Sequence, residues 1–353
     1  FLDILGLGET LLQQTFRRML NICPADQIML VTNRNYQDLC KKQIPNIPEE
    51  NIICEPVSRN TAACIAYASF KINSLNEQAN IVVVPSDHLI TREDEFVKIV
   101  KQCLDISSSS NFLITLGIPP NRPETGYGYI ETVQSDESVL AVSSFKEKPN
   151  KAMAESYLAK GTYYWNAGIF LFRARTFIDQ LREHSPDVLS AAEHAITKAI
   201  TDADFLHLNE YAFETAPSIS IDYAVMEKTS QSAVVLLEGG WSDAGSWESL
   251  AKHGAADDDG NVCIGEAVFI DSQNNYIRSE KPLVAILGID DIALIATDDA
   301  VLAIPKSRAQ EVKSIVAELE ARDREEIISH TRVYRPWGYY QNVDAGAGFL
   351  VKQ

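Results

Sequence analysis

Carboxylates near the ends of apolar runs are the residues in this chain best placed to do chemistry. Asp87, in Val84-Pro85-Ser86-Asp87-His88, lies just past a buried-looking strand, where open α/β sheets place their ligands. A carboxylate there can hold a divalent ion that in turn holds phosphate oxygens, or it can cap the following segment; His88 suits packing or hydrogen bonding better than a hard ion. Asp243 is the second candidate, framed by small residues and two tryptophans in Gly239-Gly240-Trp241-Ser242-Asp243-Ala244-Gly245-Ser246-Trp247. It reads either as a ligand to the same ion or as an N-cap in a glycine-rich turn. Two carboxylates on one cation would orient a nucleotide α-phosphate for in-line attack.

Three further clusters could supply binding groups. Arg59-Asn60-Thr61, after Glu55-Pro56, sets a guanidinium, an amide and a hydroxyl at a strand-to-helix turn, where a helix N-terminus favours anions; the alternative is a capped helix with an exposed arginine. Lys148, in Glu147-Lys148-Pro149, offers a point charge for a sugar phosphate, or simply a solvated strand end. Asn166, in Trp165-Asn166-Ala167-Gly168, is a two-sided hydrogen-bonding group for hydroxyls, or the start of an ordinary strand.

The elements that would position these groups alternate. A helix entered at Thr10 carries Leu12, Phe16 and Met19; strands follow at 27–32 and 51–54, with a helix over 37–43. A helix over 62–72 buries Ala62, Ile65, Ala66 and Ser69, and precedes the strand Ile81–Val84. A helix through Phe96, Val100 and Cys103 leads to a strand at 112–116. Such βαβ repetition predicts an α/β fold with a mainly parallel sheet covered on both faces. From Tyr127 to Phe172 the pattern turns to strands, as an inserted sugar-binding half; helices over 177–181 and 188–200 and a strand at 233–237 follow. After the acidic stretch Asp257–Gly260, short apolar strands at 267–270, 275–278, 283–287, 292–297 and 301–304 predict a β-layer or short β-helix. Ser307 and Gln310 read as a capping box for a closing helix bearing Val312, Ile315, Val316 and Leu319. The expected domains are 1–256, 257–328, and a tail 329–353 that begins something new.

At 353 residues a large domain plus a small one is expected. A formal charge of −18 disfavours nucleic acid, whose binding rests on Lys and Arg, yet leaves room for a single metal–nucleotide held by local groups. The longest apolar runs fall far short of the roughly 18 residues needed to cross a bilayer, so no membrane association is expected. Six cysteines without a CxxC pair read as free thiols in a reducing compartment, hence a cytoplasmic protein. No charged-then-apolar leader precedes Phe1; targeting information is either absent or outside this stretch.

Taken in order, Glu55-Pro56 with Arg59-Asn60-Thr61, Pro85-Ser86-Asp87-His88, Glu124-Thr125-Gly126-Tyr127-Gly128-Tyr129, Glu147-Lys148-Pro149, Trp165–Gly168, Ser220-Ile221-Asp222-Tyr223 with Met226-Glu227-Lys228, and Trp241–Trp247 resemble the motifs of bacterial mannose-1-phosphate guanylyltransferases over nearly the whole chain. The resemblance implies a nucleotidyltransferase domain of GT-A-like, Rossmann-like form with a mainly parallel mixed sheet, then a small left-handed β-helix-like domain. It implies the reaction of GTP with mannose 1-phosphate to GDP-mannose and pyrophosphate, with Mg²⁺ on Asp87 and Asp243. Lys148 would hold the sugar phosphate; Gly126, Tyr127, Glu147, Asn166 and Asp222 would line the sugar-phosphate site. Glu55, Arg59, Asn60, Thr61, Pro85, Ser86 and Asp87 would lie at the nucleotide, and the protein would be a homodimer.

Two departures from the pattern stand out. The family's glycine-rich phosphate loop, with its Arg and Pro-Lys, would precede Phe1, and Ala63 stands where a proline is common. The tail Val333-Tyr334-Arg335-Pro336-Trp337-Gly338 resembles the entry to a cupin-type mannose-6-phosphate isomerase domain of two-function members. Another sugar-1-phosphate nucleotidyltransferase, or a non-catalytic sugar-nucleotide-binding protein lacking the loop, are the alternatives.

Overall fold

Short β-branched runs between small-residue helices build a layered α/β unit, followed by a second unit made mostly of short strands. The computed structural model describes residues 3, 6–133, 137–202, 205–244, 254, 256–324, 326, 332–335, 338–346 and 349–352. Residues 11–241 form the first unit; 2–10 and 242–353 form the second. That border lies ahead of the 256/257 division expected from the acidic stretch.

The first unit opens with α1 (Leu11–Met19), β1 (Leu30–Asn33), α2 (Gln37–Gln43), β2 (Ile52–Glu55), α3 (Asn60–Leu75) and β3 (Asn80–Val83). There follow β4 (Leu89–Ile90), α4 (Glu93–Ser109), β5 (Leu113–Ile118), β6 (Tyr129–Thr132), β7 (Leu140–Lys146), α5 (Lys151–Lys160) and β8 (Tyr163–Arg173). The unit ends with α6 (Ala174–His184), α7 (Pro186–Thr197), β9 (Ile200–Asp202), β10 (Phe205–His207), α8 (Glu210–Glu214), a π-helical turn at Asp222–Met226 and β11 (Ser232–Leu236); β12 (Trp241–Ser242) straddles the border. Ala62, Ile65, Ala66 and Ser69 are buried in α3 as their helical spacing predicts.

The main sheet runs β3-β8-β5-β11-β7-β6. It is mixed. Only the β5–β11 ladder is parallel, because β8 runs antiparallel between β3 and β5. β3, β5 and β11 nonetheless share one direction, which is the part of the sheet that βαβ alternation detects. A second sheet, β1-β2-β10-β9, is parallel across β1, β2 and β10.

Alternate residues of each strand enter opposite cores. Leu113 and Val234 join Tyr67, Phe172, Phe177 and Phe213 under α3, α6 and α7. Ile114 and Val235 join Phe96, Leu116, Trp165 and Leu171 under α4 and α5. α5 was not expected. Asn150 caps it through a 3.0 Å bond from Met153 N, and Gly161 closes it in the left-handed region at φ 70°; its caps, not its weak amphipathicity, define it.

In the second unit β13 (Val262–Ile264), β15 (Tyr276–Ser279) and β17 (Ile292–Ala296) stack in parallel, as do β14 (Ala267–Ile270) and β16 (Val284–Leu287). Successive parallel coils of this kind make a β-helix-like layer, closed by antiparallel β18 (Val301–Pro305). The helix starts later than the expected capping box: residues 306–311 are a 3₁₀ turn, and helix α9 (Val312–Ala321) begins after Glu311 without a side-chain cap there, the Gln310 side chain lying outside the described residues. A 3₁₀ turn satisfies the first amides by tighter bonds, which shifts the helix start. Nor does α9 close a core, since none of its residues is buried. A three-stranded meander follows as β19 (Arg332–Arg335), β20 (Gly338–Gly346) and β21 (Phe349–Lys352). Gly245-Ser246-Trp247, Pro336 and Trp337 lie outside the described residues.

Candidate active site

The sugar-side candidates meet where β7, β8 and the π-helical turn converge. Asn166 sits in β8 and donates from Nδ2 to Asp222 Oδ1 at 2.9 Å, while its Oδ1 accepts from Gly168 N at 3.1 Å. Asp222 heads the π-helical turn, a device often found where a helix must aim a side chain. Glu147 follows β7, its amide held by Glu227 Oε1 at 3.0 Å and its Oε1 3.4 Å from Lys148 Nζ. Lys148 adopts φ +46°, strain that a non-glycine residue accepts only where its surroundings fix it.

The Glu147 carboxyl is in an unusual electrostatic position. Its Oε2 is buried without a hydrogen-bond partner. Burial first, then the nearby Asp222 charge, pushes its pKa up to about 7, against the pull of Lys148. Burial also raises Asp222, opposed by hydrogen bonds from Ser220 and Asn166. Two carboxyls and one mobile ammonium, beside an amide, suit a ligand carrying both hydroxyls and an anion.

The Asp87 loop adjoins this cluster. Gly168, at φ +67°, is the contact point: a Cβ there would lie 3.8 Å from both Pro85 Cγ and His88 Cε1. Thr15 Oγ1 donates to the Ser86 carbonyl at 3.5 Å, and Asp87 itself is exposed. His88 acts as a hydrogen-bond acceptor, taking the Trp241 indole N–H on Nδ1 at 3.2 Å. Tyr127 stands edge-on to both Trp165 and Trp241, at 5.3 and 5.4 Å. His88, Trp241, Tyr127 and Trp165 thus form a continuous aromatic wall, extended by Arg122 over Trp165 at 5.1 Å. Gly126 N is held by Glu124 Oε1 at 3.0 Å in the loop before it.

The nucleotide-side candidates behave differently. Arg59 Nη2 donates to the Glu214 carbonyl at 2.8 Å. Asn60, at φ +64°, accepts from Thr61 N; Thr61 Oγ1 accepts from Ile221 N at 2.9 Å, and Ala62 N donates to Ile219 O at 3.2 Å. Two amides of the first turn of α3, those of Thr61 and Ala62, are therefore spent inside the chain, and this corner ties down residues 214–221 ahead of Asp222. Glu55 accepts a 2.5 Å bond from Tyr67, and burial raises its pKa. Asp243 belongs to the second unit, two residues along the chain from Trp241.

A site with an aromatic wall, an amide and paired carboxyls at the end of a mixed sheet suits many transferases, so the comparisons decide the family. Residues 3–260 match the nucleotidyl transferase family, and residues 265–319 match the mannose-phosphate isomerase/GMP-like β-helix domain. An Escherichia coli mannose-1-phosphate guanylyltransferase is 39% identical, covering 98% of this chain and 73% of that protein. The chain belongs to the mannose-1-phosphate guanylyltransferase family. A Pseudomonas aeruginosa alginate biosynthesis protein is 38% identical over 100% of this chain and 74% of its own. A solved Thermus thermophilus structure, titled a mannose-1-phosphate geranyltransferase, superposes with TM-score 0.78 at 30% identity, covering 89% of this chain and 90% of that one.

Within this guanylyltransferase chain, residue-by-residue reading missed Trp165, Trp241, Gly128 and Glu227 as parts of the site. All four stand in the motifs of the resemblance, but nothing in residue type or spacing indicates that the Glu227 carboxylate holds the Glu147 amide. Gly128 is closer still: a Cβ there would meet Glu147 Oε2 at 2.5 Å, a constraint visible only in three dimensions. All six cysteines are free thiols. No helix among the described residues is long and apolar enough to cross a membrane.

Proposed function

We propose that the chain transfers GMP from GTP to α-D-mannose 1-phosphate, giving GDP-mannose and pyrophosphate. The observation that carries the reading is the joining of Glu147, Lys148, Asn166 and Asp222 into one cluster beside the Asp87 loop. Carboxyl and amide groups take sugar hydroxyls, and the Lys148 ammonium takes the sugar phosphate. That phosphate is already an anionic nucleophile. Its oxygen attacks the α-phosphorus of GTP, the bond from α-phosphorus to the bridging oxygen breaks, and pyrophosphate leaves with the electron pair. No general base is needed, so catalysis rests on alignment and charge neutralisation.

Mg²⁺ fits the donor set. Among the described residues no group of three or more His, Cys, Asp or Glu gathers as a cage; this ion characteristically takes one or two carboxylates and completes its shell with water and phosphates. Asp87, exposed in the loop after β3, and Asp243 would hold it. When bound, the ion supplies positive charge to the phosphate oxygens. The reading extends to a cytoplasmic homodimer serving polysaccharide synthesis.

Turnover with each of four NTPs against mannose 1-phosphate and glucose 1-phosphate tests the assignment. GTP with mannose 1-phosphate should be preferred. Equal or greater use of UTP or dTTP would assign a different sugar nucleotide, and absence of turnover together with retained ligand binding would favour a non-catalytic role.

A further inference from the structure

The amide of Asn166 can serve a sugar only if it is held in one orientation, and the structure contains a group that does this from below. β8 departs from regular pairing with β5: Thr115 faces Phe170, yet Gly117 faces Asn166. Two residues of β5 therefore span four of β8, so β8 bulges over Ala167–Ile169, with Gly168 in the left-handed region. Bulges of this kind re-aim side chains next to active sites and leave ladder groups unpaired. Thr115, fully buried in β5, lies under the bulge. Its one hydroxyl proton faces two acceptors, Asn166 Oδ1 at 2.9 Å and the Ile169 carbonyl at 3.2 Å, and the shorter bond is the one to Asn166.

We propose that Thr115 is a positioning residue for the sugar site: its buried hydroxyl, with Gly168 N, saturates Asn166 Oδ1, so that Asn166 meets the sugar as a donor only. The orientation of the amide follows from chemistry. A backbone N–H can only donate, so the atom facing Gly168 N must be oxygen, and the Nδ2 group must face Asp222. One Nδ2 hydrogen is then spent on Asp222, both oxygen lone-pair directions are spent on Thr115 and Gly168, and one N–H remains for a ligand. A hydroxyl accepting that N–H keeps its own proton for a neighbouring carboxyl. The donor-only amide and an ionised carboxyl together therefore take a hydroxyl, which accepts from the first and donates to the second, over a group that can only accept. This inference rests on the sugar-phosphate role proposed above.

Thr115→Val keeps the shape and removes the hydroxyl. Binding of mannose 1-phosphate by calorimetry and steady-state kinetics for both substrates read the effect. The expected result is about a tenfold loss of mannose 1-phosphate affinity, the scale of one buried hydrogen bond, with KM for GTP unchanged and rescue by Thr115→Ser. In an Asn166→Ala background Thr115→Val should add nothing. If the valine variant does not fold, Thr115→Cys should show a smaller loss confined to the same substrate. Wild-type affinity in Thr115→Val, equal rises in both KM values, or full additivity with Asn166→Ala would overturn the proposal. A wild-type chain that binds no mannose 1-phosphate would sink the function and the inference together; wild-type binding with an unaffected valine variant sinks the inference alone.

Discussion

Two regions of this molecule bond asparagine amides into the fold and use them in opposite ways. In the β-helix-like unit Asn261 donates to Ser272 O at 2.9 Å and to Asp257 Oδ2 at 3.2 Å, and accepts from both nitrogens of Asn275. Asn275 in turn donates to Ile289 O and accepts from Ile292 N. Every donor hydrogen of this stacked pair is committed within the chain, so it ties one coil to the next. Asn166 keeps one donor in reserve beside a carboxyl whose pKa burial has pushed up to about 7. Saturation marks a structural amide; a single uncommitted donor amid unbalanced charge marks a functional one.

The sharpest test of this contrast is to change a side chain on the functional side that holds no fold together. Asp87 is exposed in its loop. Asp87→Asn should lower kcat by on the order of a hundredfold or more, as when one electrostatic stabiliser is lost, while the thermal midpoint shifts by less than about 2 °C. Steady-state kinetics beside a melting curve checks this. Unchanged kinetics would remove Asp87 from the reacting centre.

Glu147 sharpens the comparison through pH. An acid whose pKa is raised on folding binds more protons in the native than in the unfolded state between its two pKa values, so stability falls as pH rises from about 4.5 to about 7 and is level beyond. Ionising it costs the fold on the order of 3 kcal/mol. Glu147→Gln, neutral at every pH, should therefore match the wild type near pH 4.5 and exceed it in stability at pH 8, while binding sugar phosphate less well. Urea titrations at the two pH values settle the point; identical pH dependence would mean that Glu147 ionises freely.

The complementary change strikes the saturated pair. Asn275→Ala strands the Ile289 carbonyl and the Ile292 amide, leaves Asn261 Oδ1 with the residue 275 backbone N–H alone, and should cost about 2 kcal/mol of stability with KM values intact. A loss of sugar-phosphate affinity instead would erase the distinction between the two amides.

How far this contrast could be read from sequence depended on the range of the forces involved. Helices such as α3 and strands such as β5 and β14 follow from the local pattern, Glu147 and Asn166 stand out by residue type at strand positions, and Asp222 is marked only by the resemblance. The reversed direction of β8 was not legible, because strand polarity within a sheet is set by long-range pairing rather than by composition. α5 was missed since its ends are fixed by Asn150 and Gly161 while its face carries little pattern. Arg59 and Thr61 carried the right residue types for a ligand, but their partners, Glu214 and Ile221, are far away in the chain. Thr115 looked like any β-branched strand residue; only the bulge opposite gives its hydroxyl a task.

The smallest expected effect probes packing beside the functional amide. Gly128 adopts no left-handed conformation, so alanine is compatible with its backbone. Its Cβ, however, would sit 2.5 Å from Glu147 Oε2 and 3.4 Å from Asn166 Cβ. The Glu147 oxygen has no partner to lose, so the carboxyl can swing aside at little cost to the fold, taking its Oε1 from Lys148. Gly128→Ala should thus raise KM for mannose 1-phosphate about fivefold, roughly the worth of one displaced polar contact, and leave the melting temperature nearly unchanged. A comparable loss of stability with unaltered KM would mean that the Glu147 carboxyl supports the fold as the Asn261–Asn275 pair does, and the division between the two regions would fail at its tightest point.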